Sequence, residues 1–278
     1  MSFTPINNDH AVQSLVISVI FEKPLGHGVI PYVQGQRDKW PELPAMNAPQ
    51  TFSFQIGPGG VAPQNLGGQG LELSYQRPDG TPAWLMRFDA TGLVVECTRY
   101  TRWDRVWEMA RKFHHTALEV IQQSQQADDV GVAAVSLQYI DRFVGQAADN
   151  DFRTLFCESD IVAKSAFKFG DFWHQHTGWF DRSHELGPIL NNLNIDTNSD
   201  PASVDKSLSV GILHLQQLRY TEKKSIADFC GSVNVVFDGV MQHLHVQNKS
   251  LISSLLSSDM AEKIGLGSSI PTGEGSKS

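Results

Sequence analysis

Alternation between apolar and polar positions runs through the chain and predicts short antiparallel β-strands. Three such stretches lie at residues 71–76, 83–90 and 93–98, and turn sequences separate them at 77–80 (Arg-Pro-Asp-Gly) and 89–92 (Asp-Ala-Thr-Gly). Together they predict a three-stranded meander. Further strands are predicted at 51–56, 130–143, 190–196 and 208–220, and the β-branched run at 15–21 predicts a strand buried on both faces.

Apolar residues with a helical period of about 3.6 residues mark two long helices. In the first, at residues 101–122, Trp103, Val106, Trp107 and Ala110 share one side, which we expect to pack on the meander. Thr101 is the expected N-cap. The second helix is expected at 225–244, with a short continuation from residue 248. The glycine-rich stretch at 57–68 matches no phosphate-binding motif and is expected to be a loop.

The order of these elements predicts the fold class. Strands precede a long helix in each half of the chain, and no regular strand–helix alternation occurs. This order predicts an α+β fold with antiparallel sheets, each packed by a long helix, in two similarly organised halves. The predicted domains are residues 1–147 and 148–266. Residues 267–278 are rich in glycine and serine and are expected to form a disordered tail.

The charge balance is acidic and argues against a nucleic-acid partner. The 278 residues include 30 Asp and Glu against 22 Lys and Arg, which gives a formal net charge of −8. Binding through phosphates requires a basic surface. The densest basic group lies among acidic residues near the first long helix, where a solvated face with local ion pairs is the simpler interpretation. Its members are Arg99, Arg102, Arg105, Arg111 and Lys112.

Cysteine usage and hydropathy predict a cytoplasmic protein with no membrane anchor. Cys97, Cys157 and Cys230 are far apart, odd in number and outside any CxxC motif, which is typical of a reducing compartment. The first ten residues lack the charged and apolar segments of a signal peptide. The longest apolar run, at 15–21, is too short to cross a bilayer.

The densest group of candidate metal ligands lies between residues 171 and 185. On an extended backbone His174 and His176 point to one side, and Asp181 or His184 could complete a zinc-type site. The same segment is rich in Trp and Phe, so a polar-rimmed packing site is the competing interpretation. No HExxH helix accompanies the group. The sequence therefore leaves these four residues as ligand candidates and predicts neither a bound metal nor a cofactor.

Tyr139 and Asp141 form the second candidate site. They are two residues apart in the strand predicted at 130–143, so their side chains share a face. In one interpretation the pair reaches a ligand in the concavity of the sheet. In the other, Tyr139 is half-buried packing and Asp141 starts a turn at the end of the strand, which is the commoner role of such residues. The pair is retained as a candidate binding surface.

The residues from 84 to 113 and the segment VSLQYIDRF at 135–143 resemble a sporadically distributed, uncharacterised bacterial family of about this length. Its members combine a W-x-F strand, a strand ending in T-x-Y, an aromatic-rich helix and a later L-R-Y-[IV]-[ND] strand. The positions that fit these motifs are Thr98, Tyr100, Trp103, Leu137, Tyr139, Ile140 and Asp141. Gln138 stands where the family has Arg. The resemblance implies a shared fold and an accessory or defence-type role in bacteria.

The function that these observations favour is non-catalytic. No nucleophile elbow, Walker loop or kinase signature is found in the sequence, whereas its aromatic-rich strands and helices offer a surface to another protein or to a second copy. We therefore predict a protein-binding or adaptor component. Two alternatives stay open: a metal-dependent hydrolase or nuclease that uses the cluster at 174–184, and a sensor that holds a nucleotide or metabolite between the two halves.

Overall fold

The computed structural model describes residues 3–48, 50–57, 60–124, 130–146, 151–168, 170–199, 207–230 and 235–266. The helices in these ranges are α1 (Val29–Gly35), α2 (Trp103–Gln123), α3 (Val235–Leu255) and α4 (Ser258–Lys263). Short 3₁₀ helices lie at Arg37–Lys39, Phe152–Thr154, Ala166–Lys168 and Ile226–Phe229. The strands are β1 (Thr4–Pro5), β2 (Val12–Phe21), β3 (Ala45–Asn47), β4 (Gln50–Gly57), β5 (Gly60–Gln69), β6 (Leu71–Gln76), β7 (Pro82–Phe88), β8 (Gly92–Cys97), β9 (Gly131–Gln146), β10 (His174–Asp181), β11 (Ile189–Ser199) and β12 (Ser207–Ser225).

Within the described ranges, ten strands form one antiparallel sheet. Its order is β10-β11-β12-β9-β2-β8-β7-β6-β3, and β1 pairs with the far end of β9. Strands β4 and β5 form a separate antiparallel pair. The predicted α+β fold, with a sheet and a long helix in each of two similar halves, is wrong. Strand β9 pairs with β2 on one side and with β12 on the other, so both halves of the chain contribute to a single sheet.

The burial pattern of β2 shows that the helices cover only one face of this sheet. Leu15, Ile17 and Val19 are buried on one face, whereas Val16 and Ser18 on the opposite face are only half-buried. β-Branched residues in both sets favour the extended backbone. The sequence predicted a strand buried on both faces, but burial alternates because the long helices pack on one face only.

Helices α2 and α3 lie together on the covered face. Their contacts combine a hydrogen bond, an ion pair and an edge-to-face ring pair, and they join Trp103 with Gln242, Arg111 with Asp238 and Trp107 with Phe237. Helix α2 was predicted almost in full. Its predicted cap was wrong, because the N-cap residue is Arg102 and no side chain caps the helix there.

The apolar residues beneath the helices form two separate clusters. The larger lies under α1, α2 and the start of α3, and the smaller lies under the end of α3 and α4. Between them, on three strands and on α3, buried polar side chains interrupt the apolar packing. We call this set the polar layer: Asp141, Asn191, His214, Gln216 and Asn248. Buried polar groups are costly unless they are hydrogen-bonded, and His214 is within hydrogen-bond distance of both Asn248 and Asn191.

Some sequence predictions fall beyond the described ranges or stay untested. The tail at 267–278 lies outside the described residues, as does the linker at 147–150. The division into residues 1–147 and 148–266 therefore stays a prediction. Among the described residues, no helix combines the length and the apolar character needed to cross a membrane.

Candidate functional site

The polar layer opens into a cavity of about 560 Å³ beside α3. Five parts of the chain build its wall: residues 9–12 before and at the start of β2, residues 100–104 at the start of α2, β9, α3, and residues 262–266 at the end of α4. Strand β9 contributes Tyr139 and Asp141. We refer to this space as the Asp141 cavity. Its volume lies within the range that holds a small organic ligand.

Asp141 is the least expected residue of the cavity wall. Only 5% of its surface is exposed, and the residues opposite it on the neighbouring strands are the apolar Val12 and Ile212. No hydrogen bond or ion pair reaches its carboxyl group from any described residue. Burial raises the pKa of Asp141 from 3.8 to about 7. The cavity therefore holds a carboxyl group that lacks a donor.

Tyr139 lies on the same face as Asp141 and is held by α3. Its hydroxyl oxygen is 2.8 Å from Nδ1 of His245. Burial raises the pKa of Tyr139 well above its ordinary value and lowers the pKa of His245 to about 4, so at neutral pH the phenol keeps its proton and the imidazole is uncharged. The Tyr139 hydroxyl can thus donate to Nδ1, which leaves the ring proton on Nε2.

Trp103 fixes the imidazole of His245 from the other side. The two rings are stacked, with centroids 4.3 Å apart and planes 5° apart. The indole Nε1–H of Trp103 donates to Oε1 of Gln242 over 2.8 Å, and a second stacked ring, Trp107, lies at 5.6 Å. The helix pair therefore holds His245 against the cavity in one orientation.

The ring of Tyr100 stands almost perpendicular to that of Tyr139 in the cavity wall. The centroid of Tyr100 is 6.2 Å from that of Tyr139, and their planes meet at 72°. His10 contacts the other side of Tyr100 with centroids 5.3 Å apart at 74°. Burial raises the pKa of Tyr100 to about 12 against the hydrogen-bonding effect of Tyr139, so its hydroxyl is uncharged at neutral pH.

The charges at the mouth of the cavity cancel. Six exposed charged side chains line it, three acidic and three basic: Asp9, Asp104, Glu262, Arg102, Lys249 and Lys263. Inside, beside the uncharged Tyr100, Tyr139 and His245, the carboxyl group of Asp141 is the acidic group without a counter-charge among the described residues.

A smaller cavity of about 220 Å³ lies on the other side of α3. His214 lines it, with Nδ1 2.8 Å from Oδ1 of Asn248 and Nε2 3.2 Å from Oδ1 of Asn191. Burial lowers the pKa of His214 to about 4, so its imidazole is neutral at pH 7. Asn248 also lines the Asp141 cavity. The polar layer therefore connects the two cavities beneath the helix.

The structure gives the candidate pair Tyr139 and Asp141 a definite environment. Both side chains lie on the helix-covered face of β9, as expected from their spacing. Asp141 lies inside a strand that continues to Gln146, so it does not start a turn. Tyr139 is 2% exposed, and so is fully rather than half buried. Asp141 therefore does not have the turn-starting role considered for it, whereas the full burial of Tyr139 agrees with a packing role.

The structure separates His174 and His176 from Asp181 and His184, and the latter two interact electrostatically with each other and with His243. His174 and His176 share the outer face of β10 and are exposed, as an extended backbone requires. Asp181 pairs with the buried Ile189 and faces the helix side. His184 follows the strand, and its ring contacts that of His243 at 4.8 Å. No group of three potential metal-ligating side chains occurs in the described part of the chain.

Sequence reasoning missed His245 as a site residue. The helix predicted at 225–244 ends one residue before His245, which left this residue outside the helix. Helix α3 instead continues to Leu255, which places His245 in its middle and facing β9. The spacing of His245, Asn248 and Ile252 at three and four residues was the available signal, because it places polar residues on the stripe that should be apolar.

Comparison with known proteins gives no match from which a function could be inferred, so the interpretation rests on the residues of the site. No protein-family model, no curated protein and no solved structure matches the chain. The resemblance to a bacterial family therefore stays a prediction.

Proposed function

We propose that this protein is a non-catalytic small-molecule-binding protein of the bacterial cytoplasm, whose ligand occupies the Asp141 cavity. The observation that carries the proposal is the buried Asp141 carboxyl group, which no described residue pairs. A carboxyl group that lies mostly out of solvent and receives no donor from the protein is costly to ionise, so proteins retain one mainly where it serves a function. A ligand that supplies the missing donor recovers this free energy on binding.

Binding without turnover is the simplest use of these groups. Tyr139 and His245 are hydrogen-bonded to each other, and both stay uncharged near neutral pH. A phenol with a raised pKa is a poor nucleophile, and an imidazole with a pKa of about 4 is a weak base. The arrangement favours a sensor, the alternative that the sequence left open, over the hydrolase based on residues 174–184.

The proposal predicts ligand-dependent stabilisation that requires Asp141. In a thermal-unfolding screen against metabolites, a true ligand at a hundred times its Kd should add about 2.7 kcal/mol to the free energy of unfolding. Asp141→Asn keeps the shape of the side chain but removes its charge, and should weaken binding at least tenfold, since hydrogen bonds to charged groups contribute about 1.5–3 kcal/mol.

Asp38→Asn is the matched control for this experiment. The same chemical change is made on a side chain that is 99% exposed and remote from the cavity wall, so ligand affinity should equal that of the parent. The proposal is rejected if every ligand found binds parent and Asp141→Asn with the same affinity, because the ligand then occupies another place.

A second candidate function is the protein-binding or adaptor role predicted from the sequence. It would belong to an accessory or defence-type bacterial system, as the family resemblance implies. Its support is the strand β10, which lies at the edge of the sheet and carries Phe180 with 54% of its surface exposed; Phe172, just before it, is 62% exposed. Edge strands with exposed apolar residues pair readily with other chains.

Light scattering across a range of concentrations tests this second function. If the edge mediates self-association, the double variant Phe172→Ser, Phe180→Ser should stay monomeric at concentrations where the parent associates, with an unchanged melting temperature because both side chains are exposed. If the parent and the double variant associate equally, strand β10 does not mediate the association.

A further inference from the structure

The ligand class follows from the charges and rings of the Asp141 cavity and rests on the proposed function. The mouth carries three acidic and three basic side chains, so it favours neither sign of charge. The interior presents one acidic group, Asp141, and the neighbouring Tyr100, Tyr139 and His245 are uncharged at neutral pH. A ligand group next to Asp141 therefore meets one unbalanced negative charge whenever the carboxyl group is ionised.

Aromatic rings lie in the cavity wall beside this carboxyl group. Tyr100 and Tyr139 stand at 72° with centroids 6.2 Å apart, and both line the cavity with Asp141. Ring faces carry partial negative charge and attract cations, so the half-buried Tyr100 would add to the attraction of the Asp141 carboxylate wherever its face meets the ligand.

We infer that the Asp141 cavity binds an organic cation, a compound with a protonated amine or a guanidinium group that donates to the Asp141 carboxylate. The pair gains a charge-assisted hydrogen bond, and the Asp141 carboxylate gains a donor that no described residue supplies. The cavity of about 560 Å³ is much larger than a single ammonium group, so the ligand carries a body of several carbon atoms. Its outer end meets the balanced charges of the mouth.

If Asp141 binds a cation, the affinity for that cation should depend on pH. Asp141 has a pKa of about 7 in the free protein, so about half of the molecules are protonated there at pH 7. A cation binds the ionised form and expels the proton, so its affinity should rise about tenfold between pH 6 and pH 8. The other titratable or charged groups that line the cavity are Asp9, His10, Tyr100, Arg102, Asp104, Tyr139, His245, Lys249, Glu262 and Lys263.

Isothermal titration of the full chain tests the inference, with spermidine, agmatine and choline as cationic probes and glutarate and adenine as anionic and neutral counter-probes. The expected result is binding of at least one cationic probe, with about half a proton released per ligand at pH 7, as judged from buffers of different ionisation enthalpy. Asp141→Asn should bind the cationic probe more weakly, and its affinity should not change with pH. Asp38→Asn should behave like the parent.

The outcomes separate the inference from the function on which it rests. Binding of glutarate or adenine that depends on Asp141, with affinity that falls as pH rises, would overturn the cation and leave the small-molecule-binding function intact. If none of these probes and no metabolite in the thermal screen binds in an Asp141-dependent way, both the cation and the proposed function are rejected. If the parent and Asp141→Asn bind a cationic probe equally, the probe binds elsewhere on this acidic protein. That outcome also overturns the inference.

Discussion

Replacing Phe237 by alanine is expected to lower the free energy of unfolding by about 3–5 kcal/mol, the range measured for truncating a buried aromatic side chain. Phe237 has no exposed surface, and its ring lies 5.3 Å from Trp107, 5.6 Å from His114 and 5.8 Å from Phe229. These neighbours belong to α2 and to the 3₁₀ helix before α3. The ring thus joins both long helices, and its loss leaves a cavity between them.

Val236→Ala is the control for this prediction. Val236 is the preceding residue of α3, is 40% exposed and is also truncated to alanine. Because alanine has the highest helix propensity, the change should stay within about 0.5 kcal/mol of the parent. Urea unfolding of the two variants gives the comparison. A Phe237→Ala protein as stable as Val236→Ala would mean that α3 does not pack on α2 as described.

Local patterns in the sequence predicted most individual elements. The meander is an example: its first turn has Gly80 with φ +83°, a conformation that glycine adopts without strain, and the N–H of Gly80 donates to the carbonyl oxygen of Arg77 over 2.9 Å. Strands β6, β7 and β8 flank the two predicted turns as expected. Turn chemistry and period-2 alternation act over a few residues, so one sequence suffices to recognise them.

The single sheet could not be predicted in the same way. It depends on β9 pairing with both β2 and β12, and these pairings join residues that are far apart in the chain, such as Tyr139 with Leu15 and with His214. Alternation assigns a face to each residue but does not identify the partner strand. The pairing of β4 with β5 was missed for a related reason, because the glycines of residues 57–68 favour a loop when their partner strand is unknown.

The candidate site was predicted only in part, because the sequence reveals local relations within a strand but not contacts between distant parts of the chain. The spacing of Tyr139 and Asp141 placed them on one face, since that property is local to a strand. Their relation to His245 is not local, because 106 residues separate it from Tyr139. Burial of the Asp141 carboxyl group without a donor is a property of the assembled fold, to which β2, β12, α2 and α3 all contribute.

Asp141 should also make the stability of the protein depend on pH, in the direction opposite to most carboxyl groups. Its pKa is about 7 in the folded chain and 3.8 ordinarily. Between these values the folded chain holds a proton that the unfolded chain has lost, so the contribution of Asp141 to stability is present at acid pH and is lost as pH rises towards 7. Above pH 7 both states are ionised and the loss is complete.

Asp141→Asn removes this dependence, since asparagine does not titrate. Relative to the parent, the variant should gain about 2–3 kcal/mol of unfolding free energy between pH 5 and pH 8, because each pH unit between 5 and 7 costs the parent about 1.4 kcal/mol. Burial also lowers the pKa of His114, His214 and His245 to about 4, which destabilises the fold as pH falls below about 6.5. These imidazoles are present in both proteins, so they cancel in the difference. Urea unfolding at each pH measures that difference, and a value that stays constant from pH 5 to pH 8 would mean that the carboxyl group of Asp141 is ionised throughout and is paired in the folded protein.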